Sequence, residues 1–137
     1  MQFIALIYND PTLLDALPEG KADSMLRTCF AHADEMQRQG RLTESRMLAD
    51  AGTAKSLRIR NGKMTAFDGP YAEAKEVLGG FNIIEAENMD EALEIAAKFP
   101  WASTGCVEVR AIQDMNTVRL SVGAPPLPQP EEAAAAA

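Results

Sequence analysis

The chain has 137 residues, of which 47% are hydrophobic and 24% charged, and its formal net charge is −7. This length is typical of one folded domain, and the hydrophobic share excludes an intrinsically disordered chain. The 13 lysines and arginines are scattered, which argues against nucleic-acid binding because that binding depends on neutralising phosphates. No stretch approaches the roughly 20 apolar residues of a membrane span, so no membrane partner is expected.

Cysteine and histidine are scarce. The chain contains Cys29, Cys106 and a single histidine, His32. Their spacing fits no zinc site, so we predict no metal and no cofactor. Free thiols and the start MQFIALIYND, which lacks a signal-like basic region, are typical of a cytoplasmic protein.

The first half predicts a strand, a helix and a second strand. An apolar run at 3–8 predicts a buried strand that stops at Asn-Asp-Pro. Apolar spacing over 22–39 predicts an amphipathic helix that Gly40 ends, and 12–20 has room for one short helical turn. Residues 41–48 predict the second strand.

A hairpin follows this strand. Alternating residues at 55–60 and extended residues at 63–67 flank Asn61-Gly62, the dipeptide that favours a type I′ turn.

The second half repeats the order of strand, helix and strand. The run 80–86 predicts a strand, Asn88 or Asp90 can cap a helix that Pro100 ends, and 106–112 predicts a last strand. From Gly123 the sequence GAPPLPQPEEAAAAA is rich in proline and alanine. We therefore expect a domain at 1–122 and a flexible tail at 123–137.

Without the hairpin, the order is βαββαβ, which predicts a ferredoxin-like α+β fold with two helices on one face of an antiparallel sheet. The opposite face would then be bare. A second copy of the chain is the common cover for such a face, so we predict a homodimer, a dimeric α+β barrel.

His32 is the first candidate for chemistry. It shares a helical stripe with Met25, Cys29 and Met36, so it faces apolar neighbours. Two interpretations stay open: a core-edge histidine satisfied by one hydrogen bond, or a general acid or base with a pKa near neutrality.

The stretch DGPYAEAKEVLGGF, residues 68–81, is the second candidate. Asp68-Gly69-Pro70 favours a turn for backbone reasons. The polar side chains after it are compatible with a solvated loop or with a binding site. Those side chains are Tyr71, Glu73 and Lys75. Glu108 and Arg110 alternate on one face of the last strand, where they can pair with each other.

The same stretch carries a resemblance. Together with FIALIYND, the helix bearing His32, SLRIRNGKMTAFDGPY and GCVEVRAI, it resembles the YCII-related family, in particular the branch named for an Asp-Gly-Pro-Phe signature. The resemblance covers about residues 1–112. Two positions depart from the pattern: Tyr71 stands for the signature phenylalanine, and Phe99-Pro100 stands where shorter members have Asp-Pro.

The resemblance implies a dimeric ferredoxin-like α+β barrel and a small-molecule enzyme or binding protein with a polar cleft. It implies His32 and Asp68 as a catalytic pair, with Asp68 or Glu73 replacing the acid that is missing at Phe99. Tyr71, Glu73, Lys75, Glu108 and Arg110 would then bind an unknown small molecule. The alternative is a non-catalytic regulatory or protein-interaction module, since members of this branch are often associated with alternative sigma factors.

Overall fold

The computed structural model describes residues 1–72 and 74–130; Glu73 and residues 131–137 lie outside the described part. Ten helices and strands follow one another along it, with short 3₁₀ turns at Ala51–Thr53 and Pro100–Ser103. In chain order they are β1 (Gln2–Asn9), α1 (Pro11–Asp15), α2 (Lys21–Arg38), β2 (Leu42–Met47), β3 (Lys55–Arg60), β4 (Lys63–Asp68), β5 (Val77–Glu85), α3 (Met89–Ala97), β6 (Gly105–Ala111) and α4 (Met115–Ser121).

Four strands form one sheet in the order β2-β5-β1-β6, and every neighbouring pair is antiparallel. When the β3–β4 hairpin is set aside, this is the order of a ferredoxin-like fold, in which each helix crosses over between two parallel strands that are not adjacent. The predicted fold class is confirmed. The barrel formed by two copies stays a prediction.

The two long helices pack on the same face of the sheet. Phe3 and Ala5 of β1 and Ile84 of β5 point to this face and are almost fully buried against α2 and α3. Their intervening neighbours point the other way, because side chains alternate along a strand. Ile4 and Leu6 of β1 stand directly opposite Ile83 and Phe81 of β5 on that second face, and all four are partly exposed.

The hairpin forms as predicted. Asn61 and Gly62 have φ values of 53° and 74°, the positive pair that a type I′ turn requires. β3 and β4 make a separate two-stranded sheet and pair only with each other among the described residues.

Side-chain capping explains where α1 and α3 begin. The Asn88 side chain accepts a hydrogen bond from the Glu91 amide at 2.9 Å and caps α3, and the Asp10 carboxylate caps α1 by accepting from the Thr12 amide at 2.9 Å. Capping by Asn88 agrees with the sequence pattern. No helix among residues 1–72 and 74–130 has the length and apolar character needed to cross a membrane.

The structure differs from the sequence prediction in two elements, the start of β5 and the helix α4. β5 begins at Val77 and not at residue 80, because Gly80 pairs with Ile7 of β1, the register shifts at Gly79, and Leu78 and Val77 then continue the pairing with Tyr8 and Asn9. α4 was not predicted at all. The start of the proline-rich tail folds back on α4, since Arg119 donates to the Pro125 carbonyl and the Leu127 amide donates to Asn116.

Candidate functional site

A cleft of about 530 Å³ lies between α2 and the sheet, near the end of β1. Ile7 and Asn9 of β1 and residues 77–80 and 82 of β5 form its base, and α2 forms one wall. The connection from β2 to the hairpin and the start of α1 form the rim. Most of its side chains are apolar, notably Leu14, Leu26, Phe30, Met47, Leu78 and Trp101. This size and lining suit a small molecule with an apolar body.

Asn82 is the polar group at the base of the cleft. It is 2% exposed and lies on the face of β5 that points toward the helices. No hydrogen bond joins its side-chain amide to another described residue, and the amide keeps access to the open cleft. Asn82 therefore offers a ligand both a donor and an acceptor.

Asn9 adds a second amide to the lining of the cleft. Its Oδ1 atom is buried and has no hydrogen-bond partner among the described residues. Its Nδ2 atom packs over the backbone of Gly79, where a Cβ atom would come within 2.2 Å. Gly79, which has no side chain, thus leaves room for the amide of Asn9 against β5 at the base of the cleft.

Cys29 lies on the α2 wall of the cleft. Trp101 Nε1 donates a hydrogen bond to its Sγ atom at 3.4 Å. Burial raises the pKa of the Cys29 thiol, and the hydrogen bond from Trp101 opposes this only in part. The thiol is therefore neutral near pH 7, which suits a wall group better than a nucleophile.

His32 does not line this cleft. Its Nε2 atom donates to the Ile95 carbonyl at 3.0 Å, and its ring meets the Phe99 ring edge-on with centroids 4.3 Å apart. Both partners belong to the packing of α2 against α3 and its carboxyl end. This is the geometry of the core-edge histidine satisfied by one hydrogen bond, the first of the two interpretations.

Asp68 lies at the end of β4 and pairs with Lys55 of β3, and both side chains are largely exposed. No hydrogen bond or ion pair joins Asp68 to His32 within the part of the chain that the structure describes. Tyr71 is exposed and lies near the Arg58 guanidinium, 5.2 Å from the ring centroid. The catalytic pairing of His32 with Asp68 stays a prediction without a supporting contact.

Lys75 reaches the end of β1. Its Nζ atom lies 3.4 Å from Asp10 Oδ2, and the Asp10 side chain is almost fully buried. Asp10 is flanked in sequence by Asn9 and Pro11, which both line the cleft. Of the predicted binding residues in this stretch that the structure describes, Tyr71 and Lys75, it is Lys75 that forms an ion pair next to the cleft.

Glu108 and Arg110 pair with each other on β6, with Arg110 Nε 3.1 Å from Glu108 Oε2. They stand opposite Leu6 and Ile4, on the face turned away from the helices. Their predicted mutual pairing is present, but the sheet separates them from the cleft. Glu73, the remaining predicted binding residue, lies outside the described residues.

Sequence reasoning missed Asn9, Asp10 and Asn82. A signal for Asn82 was present in FNIIEA, where the asparagine occupies the same strand parity as the buried Ile84 and so points into the core. Within residues 1–72 and 74–130, no group of three or more histidine, cysteine, aspartate or glutamate side chains could hold a metal ion.

Comparison with known proteins identifies relatives. The family model described as the YCII-related domain matches residues 1–116. An uncharacterized protein of Rhizobium meliloti is 33% identical over 114 residues, which cover 82% of this chain and 92% of that protein. The solved structure of a 5-chloro-2-hydroxyhydroquinone dehydrochlorinase from Burkholderia phenoliruptrix, in complex with 2,5-dihydroxybenzoquinone, matches 82% of this chain and 94% of its own chain, with 18% identity and a TM-score of 0.45.

Proposed function

The chain belongs to the YCII-related family, and within that family we propose that it is a small-molecule enzyme or binding protein whose ligand occupies the cleft between α2 and the sheet. The observation that carries the proposal is the polar base of an apolar cleft, where Asn9 Oδ1 is buried without a partner among the described residues and the 2% exposed Asn82 lines the same cleft. Folded proteins rarely keep such a group unless something satisfies it.

The shape and chemistry of the cleft define the ligand class. Its walls are largely apolar, and its base offers the amides of Asn82 and Asn9 at separate positions. A ligand that fits has an apolar body and one hydroxyl, carbonyl or amide group directed at the base. The volume of about 530 Å³ lies within the range of ordinary small-molecule sites.

Fragment binding tests the proposal. Phenol and benzamide carry one hydrogen-bonding group on an apolar ring, and toluene has the ring without that group. We expect the wild-type protein to bind phenol or benzamide more tightly than toluene in ligand-observed NMR titrations. In Asn82→Leu the order should reverse, since the base of the cleft becomes apolar.

Stability adds a second readout. Asn82→Leu removes a buried amide without a described partner, so its free energy of unfolding should equal or exceed that of the wild type. Glu108→Gln, on the other face of the sheet, is the matched control and should leave the fragment preference unchanged. Unchanged fragment preference in Asn82→Leu, or loss of it in Glu108→Gln, would contradict the proposal.

A second candidate function is the non-catalytic protein-interaction or regulatory module. The observation that favours it is the β3–β4 hairpin, which exposes Leu57, Ile59 and Met64 to solvent. An apolar surface of this kind is typical of protein contacts. A link to sigma-factor regulation stays a prediction from the family resemblance.

A further inference from the structure

Two carboxylates stand at the mouth of the cleft between α2 and the sheet. Asp15 is the last residue of α1, and Asp50 lies in the connection from β2 to the hairpin, so two separate elements bring an acid to the same cleft. Both residues are exposed. No ion pair or hydrogen bond joins either carboxylate to another residue in the described part of the chain. Both negative charges are therefore available to a ligand.

The positive charges near the cleft are already paired. Arg46 also belongs to the lining, but its Nη2 atom lies 2.8 Å from Glu44 Oε2. Arg46 stands opposite Phe81, so its side chain starts on the sheet face turned away from α2 and α3. Lys75 lies 3.4 Å from Asp10 Oδ2 and is not part of the lining. Within residues 1–72 and 74–130, the charge that the cleft presents to a ligand is thus negative.

The acids belong to a cleft with a polar base. Asn82 is 2% exposed, and its amide, which no hydrogen bond joins to another described residue, lines the same cleft. Since Asp15 and Asp50 are exposed and Asn82 is buried, the carboxylates lie at the mouth and the amide lies at the bottom. A ligand held by the base and the apolar walls would keep its outer end near the two acids.

We propose that the cleft selects ligands that carry a positive charge, an ammonium or guanidinium group, at the end that faces Asp15 and Asp50. The inference rests on the proposed function and adds a charge to its ligand class. Such a ligand has a hydrogen-bonding group for the base, an apolar body for the walls and a cation for the mouth. A carboxylate or phosphate at the outer end is disfavoured, because like charges repel. The net charge of −7 attracts the same cations from a distance.

Three phenols of similar size test the selection by charge. At pH 7 tyramine carries an ammonium group, 4-ethylphenol is neutral and 4-hydroxyphenylacetate carries a carboxylate. All three keep the phenol hydroxyl for the base of the cleft. In NMR titrations at low ionic strength, tyramine should bind about threefold to tenfold more tightly than 4-ethylphenol, since one charge pair about 6 Å apart in water changes affinity about threefold. The carboxylate should bind most weakly.

Neutral variants test the two acids. Asp15→Asn with Asp50→Asn keeps the size of both side chains, so it should leave the affinity for 4-ethylphenol unchanged. The preference for tyramine over 4-ethylphenol should fall below about twofold. Glu87→Gln with Glu94→Gln is the matched control, because it also removes two exposed acids but neither lines the cleft. An equal loss of preference in the control would assign the effect to the net charge of the chain and would overturn the proposal.

Charge reversal gives a positive readout. Asp15→Lys with Asp50→Lys should bind 4-hydroxyphenylacetate more tightly than tyramine, the opposite of the wild-type order. The substituted side chains are exposed, so each variant should keep the wild-type circular dichroism spectrum. Salt should shrink the wild-type preference for tyramine between about 0.05 and 0.5 M NaCl, because exposed charges are screened. The affinity for 4-ethylphenol should not weaken over the same range.

The outcomes separate the mouth of the cleft from its base. Equal affinity of the wild type for tyramine and 4-ethylphenol, or a preference that survives in Asp15→Asn with Asp50→Asn, would overturn the selection by charge. Binding of 4-ethylphenol that depends on Asn82 would then leave the proposed function standing. Tyramine binding that depends on the two acids but not on Asn82 would support the mouth and contradict the base. Failure of all three phenols to bind would overturn both.

Discussion

Lys75 Nζ lies 3.4 Å from Asp10 Oδ2, so the segment after the hairpin is fastened to the end of β1 by an ion pair. The two side chains are very unequal in exposure, 78% for Lys75 and 3% for Asp10. The carboxylate also caps α1 through the Thr12 amide. One buried acid therefore fixes the start of a helix and the segment that leads into β5, both at the rim of the cleft.

Removal of the Lys75 charge should destabilise the fold. Lys75→Met leaves the buried Asp10 carboxylate without its cation, and we expect a loss of about 1–2 kcal/mol in the free energy of unfolding, the low end for such pairs because Lys75 is mostly exposed. Urea unfolding at pH 7 measures it. Lys75→Arg should retain most of the stability.

A second, exposed ion pair and an Asp10→Asn background test whether the loss of stability comes from the buried Asp10 charge. Lys55→Met breaks the ion pair with Asp68, in which both side chains are exposed, and should cost no more than about 0.5 kcal/mol. In the Asp10→Asn background, where the cap remains but the charge is gone, Lys75→Met should cost little. Equal costs in both backgrounds would show that the ion pair contributes nothing.

The two glycines of β5 should respond differently to alanine. A Cβ atom at Gly80 would lie 2.6 Å from the backbone oxygen of Arg46, so Gly80→Ala must separate β2 from β5 and should cost about 1–3 kcal/mol. At Gly79 the nearest atom is the side-chain Nδ2 of Asn9, which can move. Gly79→Ala should therefore cost less stability but change fragment binding, because the Asn9 amide shifts. Thermal melts measure the stability of both variants, and the fragment titrations measure their binding. Equal behaviour of the two variants in both measurements would contradict this prediction.

His32 should act as a structural residue. His32→Ala removes the hydrogen bond to the Ile95 carbonyl and the ring contact with Phe99, so the free energy of unfolding should fall by about 1–3 kcal/mol. Fragment binding in the cleft should be unchanged, because His32 is not part of its lining. His32→Gln keeps a donor and should recover part of the loss. Loss of fragment binding in a folded His32→Gln protein would restore the catalytic interpretation.

The two thiols should differ in reactivity. Cys106 is exposed and Cys29 is buried, with its pKa raised by burial. At pH 8, a disulfide reagent should titrate one thiol quickly, and the second only after unfolding. Cys106→Ser should abolish the fast phase, whereas Cys29→Ser should leave it.

The raised pKa of the Cys29 thiol also predicts the direction in which stability changes with pH. As pH rises above about 8.5, the Cys29 thiol ionises in the unfolded chain before it does so in the folded one, so the unfolded state binds fewer protons. Wild-type stability should therefore fall with pH in this range more steeply than the stability of Cys29→Ser. Parallel curves for the two proteins would rule out this linkage.

Local patterns in the sequence predicted most of the fold. Apolar and extended patterns located α2, α3 and six strands, and Asn61-Gly62 predicted the hairpin turn that the positive φ values confirm. Each of these signals is carried by neighbouring residues, so it can be recognised without knowledge of the rest of the chain. The predicted start of β5 was wrong because a Gly-Gly pair is typical of a break in a strand. In the structure, the small size of Gly80 lets β2 approach β5, and that of Gly79 lets the Asn9 side chain approach β5.

The candidate site depended on contacts that no local pattern contains. His32 was the obvious residue for chemistry, yet its position on α2 turns it toward α3 and Phe99 and away from the cleft. Asn82 looked like one polar residue in an apolar strand. It becomes the base of a cleft because β5 is a central strand and α2 crosses over it.

The sequence by itself determined the six strands, the two long helices, their order and hence the ferredoxin-like sheet, since strand and helix periodicity and turn chemistry are properties of short segments. Only the tertiary structure decided that Lys75 meets Asp10, that Asn82 and Asn9 meet at one cleft, and that the hairpin stands apart with its apolar face exposed. The physical reason is that burial and pairing depend on which distant segments become neighbours, and the chain fixes those neighbours only when the whole sheet has formed.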